Sequence, residues 1–162
     1  MKKGEKAVFA IIGLLAVVAV GRQMLWDRAG QPRDRGIPFY TAAPPDVVQA
    51  ASELYRKYGC KSCHSLWTVR DKMQSVPAPM LDGIGSLRSE AWFYEYLSAP
   101  SPQAILPSRL KREYKMPSFA QLPEGERRLL ANYLASLKVK DWYLEETKKS
   151  EYEKLTGKEY RK

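Results

Sequence analysis

Apolar and charged positions divide this chain into stretches of different character. Lys2, Lys3 and Lys6 precede an uncharged run from Ala7 to Gly21, fifteen residues closed by Arg22. As a helix the run rises ~22 Å, short of the ~30 Å hydrocarbon core of a bilayer. Met24, Leu25 and Trp26 extend it, and Arg22 is long enough to snorkel. The pattern predicts a membrane anchor over residues 1–26, its lysines on the cytoplasmic side and everything beyond Trp26 outside. A cleaved secretory signal is the alternative, because Ala19, Val20 and Gly21 offer the small residues a peptidase requires. Either reading exports the remainder.

Residues 27–45 show no period. Gly30, Pro32, Gly36, Pro38, Pro44 and Pro45 interrupt them, and arginines outnumber aspartates, as expected of a semi-extended tether. Helical spacing then begins. Val47, Ala51, Leu54, Tyr55 and Tyr58 form one apolar stripe, with Asp46 and Gln49 placed as a capping box. Ser89 to Leu97 predicts a middle helix with Trp92/Tyr96 and Phe93/Leu97 pairs, ending before Pro100. Pro123 suits a first helical turn, and Leu129, Leu130, Tyr133, Leu134 and Leu137 make a last stripe. A small domain over 46–138 follows from these boundaries. Beyond it, 139–162 is mostly charge, with Glu145/Lys149 and Glu151/Lys154 pairs at helical spacing. This tail reads as a solvated helix. The sharper expectation is docking of Trp142, Tyr143 and Leu144 on a partner subunit.

The chemistry is concentrated in Cys60-Lys61-Ser62-Cys63-His64, which holds both cysteines and the only histidine of the 162 residues. This C-x-x-C-H spacing reads as a c-type haem attachment site. Two cysteines one turn apart present their sulfurs on one side, where they can add to the haem vinyl groups, and His64 turns its imidazole to the iron. A structural zinc site needs four ligands, and Cys and His supply three here. A thioredoxin-like pair wants a βαβ setting that the pattern lacks.

In those five residues the chain resembles the class I cytochromes c. Further resemblances lie in Met116-Pro117, similar to the family's methionine-proline segment, and in Pro79-Met80-Leu81, similar to its proline-x-leucine stretch. The resemblance covers 46–138. It implies an all-α cytochrome c fold, with crossed N- and C-terminal helices around one covalently bound haem c, here with an N-terminal transmembrane helix and a C-terminal helical tail. It implies cofactor contacts from Cys60, Cys63, His64, Met116 and Pro79, with His64 and Met116 as the iron ligands. The Pro79 carbonyl would accept a hydrogen bond from the other nitrogen of His64; Pro77 is the neighbouring alternative. A bare core-filling role for Met116 stays open, and Met73 reads as packing.

The resulting expectation is a membrane-anchored monohaem cytochrome c, an electron carrier and not itself an enzyme. It would serve a quinol–cytochrome c reductase or terminal oxidoreductase on the periplasmic side of the cytoplasmic membrane. Its partners would be the membrane-embedded subunits of that respiratory complex and redox proteins, not nucleic acid or a small-molecule substrate. The small cytochrome c subunit of a nitric oxide reductase, and a sensor or peroxidase-like haem protein with an open sixth position, are the alternatives. The net charge of +9 fits steering toward an acidic partner or anionic lipid. An exposed haem edge near the cysteines and Trp67 would let electrons out.

Overall fold

The structure, a computed structural model, describes residues 3–30, 35–67, 69, 76 and 78–161. Met73 and Pro77 lie outside the described residues, as do Lys2, Pro32 and the side chain of Trp26. The chain forms two compact units, Met1–Gly36 and Ile37–Lys162.

The first unit is one helix, α1 (Lys3–Gly30), and so takes in the start of the expected tether. Phe9, Ile11, Leu14, Leu15, Val17 and Val18 are all exposed on it. Among the described residues no helix is long and apolar enough to cross a membrane.

The second unit is mostly helical: β1 (Phe39–Thr41), α2 (Pro45–Lys57), α3 (Glu90–Ser98), α4 (Pro102–Ile105), α5 (Glu124–Ser136), β2 (Leu137–Val139) and α6 (Asp141–Thr156). α5 is central and packs on both α2 and α3. Ala51 of α2 and Ala131 of α5 are wholly buried, small side chains that let two backbones approach, with Tyr133 and Leu130 filling the space beside them. Ser89 caps α3 as its sequence suggests, its hydroxyl accepting from Trp92 N at 3.2 Å. Asp46 does not cap α2. Pro44 is the N-cap and makes no side-chain cap bond, so Asp46 falls within the first turn, where its charge suits the helix dipole.

Two boundaries differ from the sequence reading. The last stripe stops at Ser136, and Leu137 turns instead into β2, which pairs antiparallel with β1, Tyr40 opposite Lys138. Leu137 and Val139 point inward and Lys138 does not, the alternation of a half-buried strand. Residues 37–45 are therefore folded domain and not tether. The charged tail is folded as well. α6 packs on β2, Tyr143 meets Phe39 edge to face at 5.5 Å, and Thr147 is buried.

One close approach locks this arrangement. Gly85 lies so near the end of α5 that an added Cβ would sit 2.2 Å from the Ala135 carbonyl oxygen and 2.6 Å from that of Leu134. Both obstacles are backbone. Gly85→Ala should destabilise the domain by about 3 kcal/mol, the overpacking range, with a lowered midpoint in denaturant and an unchanged slope. A midpoint equal to that of the parent would show the approach to be looser than described.

Candidate functional site

α2 ends at Lys57 with Tyr58 as its C-cap, and Gly59, at φ 66°, turns the chain into the cysteine motif. Cys60–Ser62 form a single 3-10 turn, and Cys63 N and His64 N both donate to the Cys60 carbonyl, at 3.2 and 2.9 Å. Cys60, Cys63 and His64 all line one cavity of about 390 Å³. Cofactor pockets typically span ~300–1,000 Å³. Other contributors to the lining are mostly aromatic or aliphatic: Trp92, Phe93 and Leu97 from α3, Leu130 from α5, and Phe119 and Met116 from the segment between them. The exposed lining is predominantly apolar.

His64 is held from behind. Its Nδ1 lies 2.8 Å from the Pro79 carbonyl oxygen. A carbonyl only accepts, so Nδ1 carries the proton and Nε2 keeps its lone pair for a metal. Burial pushes the imidazole pKa down, and the Pro79 carbonyl only partly offsets this. The ring is therefore neutral at physiological pH, the state in which histidine ligates. Tyr55 adds a second restraint, donating its hydroxyl to the His64 carbonyl at 2.8 Å. Cys60 and Cys63 are not joined in a disulfide. Burial pushes the Cys60 thiol up to about 11, against a small lowering by its own backbone. It is thus a protonated thiol at neutral pH.

Met116 shares the cavity with His64, and its backbone is fixed by Gln103, whose side-chain amide donates to the Met116 carbonyl at 2.8 Å. Met80 is elsewhere. It lines a separate polar cleft of about 350 Å³ with Asp82, Tyr143 and Glu146. Of the two described methionines in the domain, Met116 is the one the fold brings to the motif. Trp67, expected near an electron exit, is part exposed and sits at φ 55°, a conformation that bulky residues rarely adopt.

The cytochrome c family model matches residues 48–138, more than half of the sequence. The chain belongs to the cytochrome c family. No curated protein and no solved structure matches it significantly. Cytochrome c domains carry covalently attached haem c, one to a single domain, and transfer electrons through it. The residues of this cytochrome fit that group: two thiols, a neutral imidazole with Nε2 available and a thioether line one apolar cavity. Cys60 and Cys63 would hold it by thioether bonds, and His64 and Met116 would supply nitrogen and sulfur to the iron.

Sequence reasoning missed four contributors. Tyr55 was legible only as core, although a buried tyrosine hydroxyl usually finds a partner. Gln103 carries no sequence signal at all. Glu151 and Leu155 of α6 line the cavity from the segment read as a solvated tail.

Proposed function

We propose that this cytochrome is a membrane-anchored, single-haem electron carrier serving a respiratory oxidoreductase complex from the outer face of the cytoplasmic membrane. The observation that carries the electron-transfer part is the oriented His64 ring in the same apolar cavity as Met116. When bound, the haem iron supplies a one-electron ferrous–ferric couple. The chain's residues keep the cost of that change small. The Pro79 carbonyl and Tyr55 fix the histidine, and Gln103 fixes the segment of Met116, so neither ligand needs to reorganise. A soft neutral sulfur and an apolar wall both favour the less charged ferrous state and raise the potential.

The anchor rests on α1. Its 28 residues amount to ~42 Å of helix, longer than the ~30 Å hydrocarbon core. Among its described side chains, those from Ile11 to Val20 are apolar or small and all exposed, the pattern of a helix that lipid covers. Lysines before the run and the haem domain after it give the outward orientation. Exposed Arg56, Lys57 and Lys61 beside the motif, with Lys111 and Arg112 before Met116, suit an acidic redox partner.

Native membranes washed with alkaline carbonate should retain the protein, and gentle detergent should extract it together with oxidoreductase subunits. Release by carbonate overturns the anchor. Carbon monoxide should not combine with the reduced protein. Rapid combination would move the assignment to a ligand-binding haem protein.

A further inference from the structure

α6 lies wholly outside the residues matched by the family model, yet it forms part of the haem cavity. Glu151 and Leu155 line that cavity, and Glu151, with Pro79 and Ile84, also lines the polar cleft next to it, so α6 supplies part of the partition between the two spaces. Two arginines tie the helix down. Arg88, just before α3, pairs with Glu151 at 3.2 Å, and both side chains are largely covered. The Arg88 guanidinium also lies over the Trp92 ring at 5.2 Å, and Trp92 lines the same cavity. Arg109, in the loop leading to Met116, donates from Nε to the Lys154 carbonyl at 3.2 Å. Its guanidinium packs against Gly157, 3.0 Å from where a Cβ would stand. The helix is thus attached on one side to the α3 wall and on the other to the loop that carries the methionine.

We propose that α6 is an added wall of the haem site, and that Arg88, Glu151 and Arg109 are positioning residues that hold it shut against water and foreign ligands. This rests on the cytochrome reading and extends it. The wall acts through Met116: with α6 in place, the Arg109 loop is held in, and the methionine segment stays closed over the cavity in which it would supply sulfur to the iron. Leu155 replaces water at the cavity edge by a hydrocarbon surface. The Arg88–Glu151 pair seals the boundary with the polar cleft while cancelling its own charge.

The test uses the full haem-loaded chain and reads the rate at which cyanide combines with the ferric protein, a step limited by displacement of the sixth ligand. Glu151→Gln and Arg109→Ala should each speed it about tenfold, as expected when local opening becomes easier by one tie. The double reversal Arg88→Glu/Glu151→Arg should bring the rate back toward that of the parent. Removing residues 141–162 should give the largest increase. In parallel, amide hydrogen exchange over 141–156 should quicken in both single variants, a readout that needs no haem turnover. Equal cyanide rates and equal exchange in the parent and both single variants overturn the wall, even if the truncated chain fails to fold. Absence of haem from the parent itself overturns the cytochrome reading instead, so the two failures are distinguishable.

Discussion

His64→Ala is expected to abolish the sharp low-spin spectrum of the reduced protein and to lower its electron-transfer rate by more than 100-fold. Loss of a partner one bond removed from a metal typically costs 10–100-fold in affinity or activity, and here the ligand itself is deleted. The side chain's position makes the effect specific. Its Nδ1 is already committed to Pro79 at 2.8 Å, so no other orientation of the ring serves as well, and no second histidine exists in the sequence to replace it. The cysteines are untouched by the substitution, so haem should remain attached, as a denaturing gel stained for haem would reveal. Added imidazole should enter the vacated space and restore the low-spin bands. An alanine variant with the parent's spectrum and no response to imidazole would remove His64 from the iron.

The second large effect belongs to Met116. Met116→Ala should lower the reduction potential by a few tenths of a volt, a substantial part of the ~0.8 V range that axial ligands command. It should also extinguish the far-red charge-transfer band of the ferric form and open the ferrous form to carbon monoxide. Met80→Ala provides the contrast. Because Met80 lines the neighbouring cleft and not the haem cavity, its loss should leave that band in place. Bands that vanish with Met80 and survive with Met116 would reverse the assignment. Gln103 supplies an intermediate case. Gln103→Ala frees the Met116 carbonyl, and a smaller drop in potential should follow from a less firmly held sulfur.

The chemistry of this chain was more legible than its shape. Cysteines, histidine and methionine announce themselves because their roles require particular atoms at particular spacing. α2, α3 and α5 were legible because each buries a stripe against its neighbours, and Ala51, Phe93, Leu97 and Tyr133 occupy the core as their spacing indicates. The strand pair was not. Three residues give too short an alternation to stand out, and the prolines and glycines around Phe39–Thr41 have the composition of a linker. What makes the segment a strand is Leu137–Val139, nearly a hundred residues away. α6 was misread for a related reason. Its charges dominate its composition, and its inner face consists of buried Thr147 with half-buried Tyr143, Glu151 and Leu155, too mixed for a hydrophobic pattern to mark. Contacts such as Gln103 to Met116 and Tyr55 to His64 join a side chain to a backbone carbonyl, and such bonds leave no trace in residue type at the receiving end.

The β1–β2 pair has a mechanical consequence. Tension arriving through Gly36 meets the ladder first, together with the bond from Lys140 N to the Pro38 carbonyl and the Thr41–Ser136 hydroxyl contact at 2.9 Å. These connect the beginning of the folded unit to the end of its central helix, so a pull is passed to α5 before it can reach Cys60. The pair works as a strain relief, like the grip at the end of an electrical cord, and spreads the pull over the central helix instead of the cysteine motif.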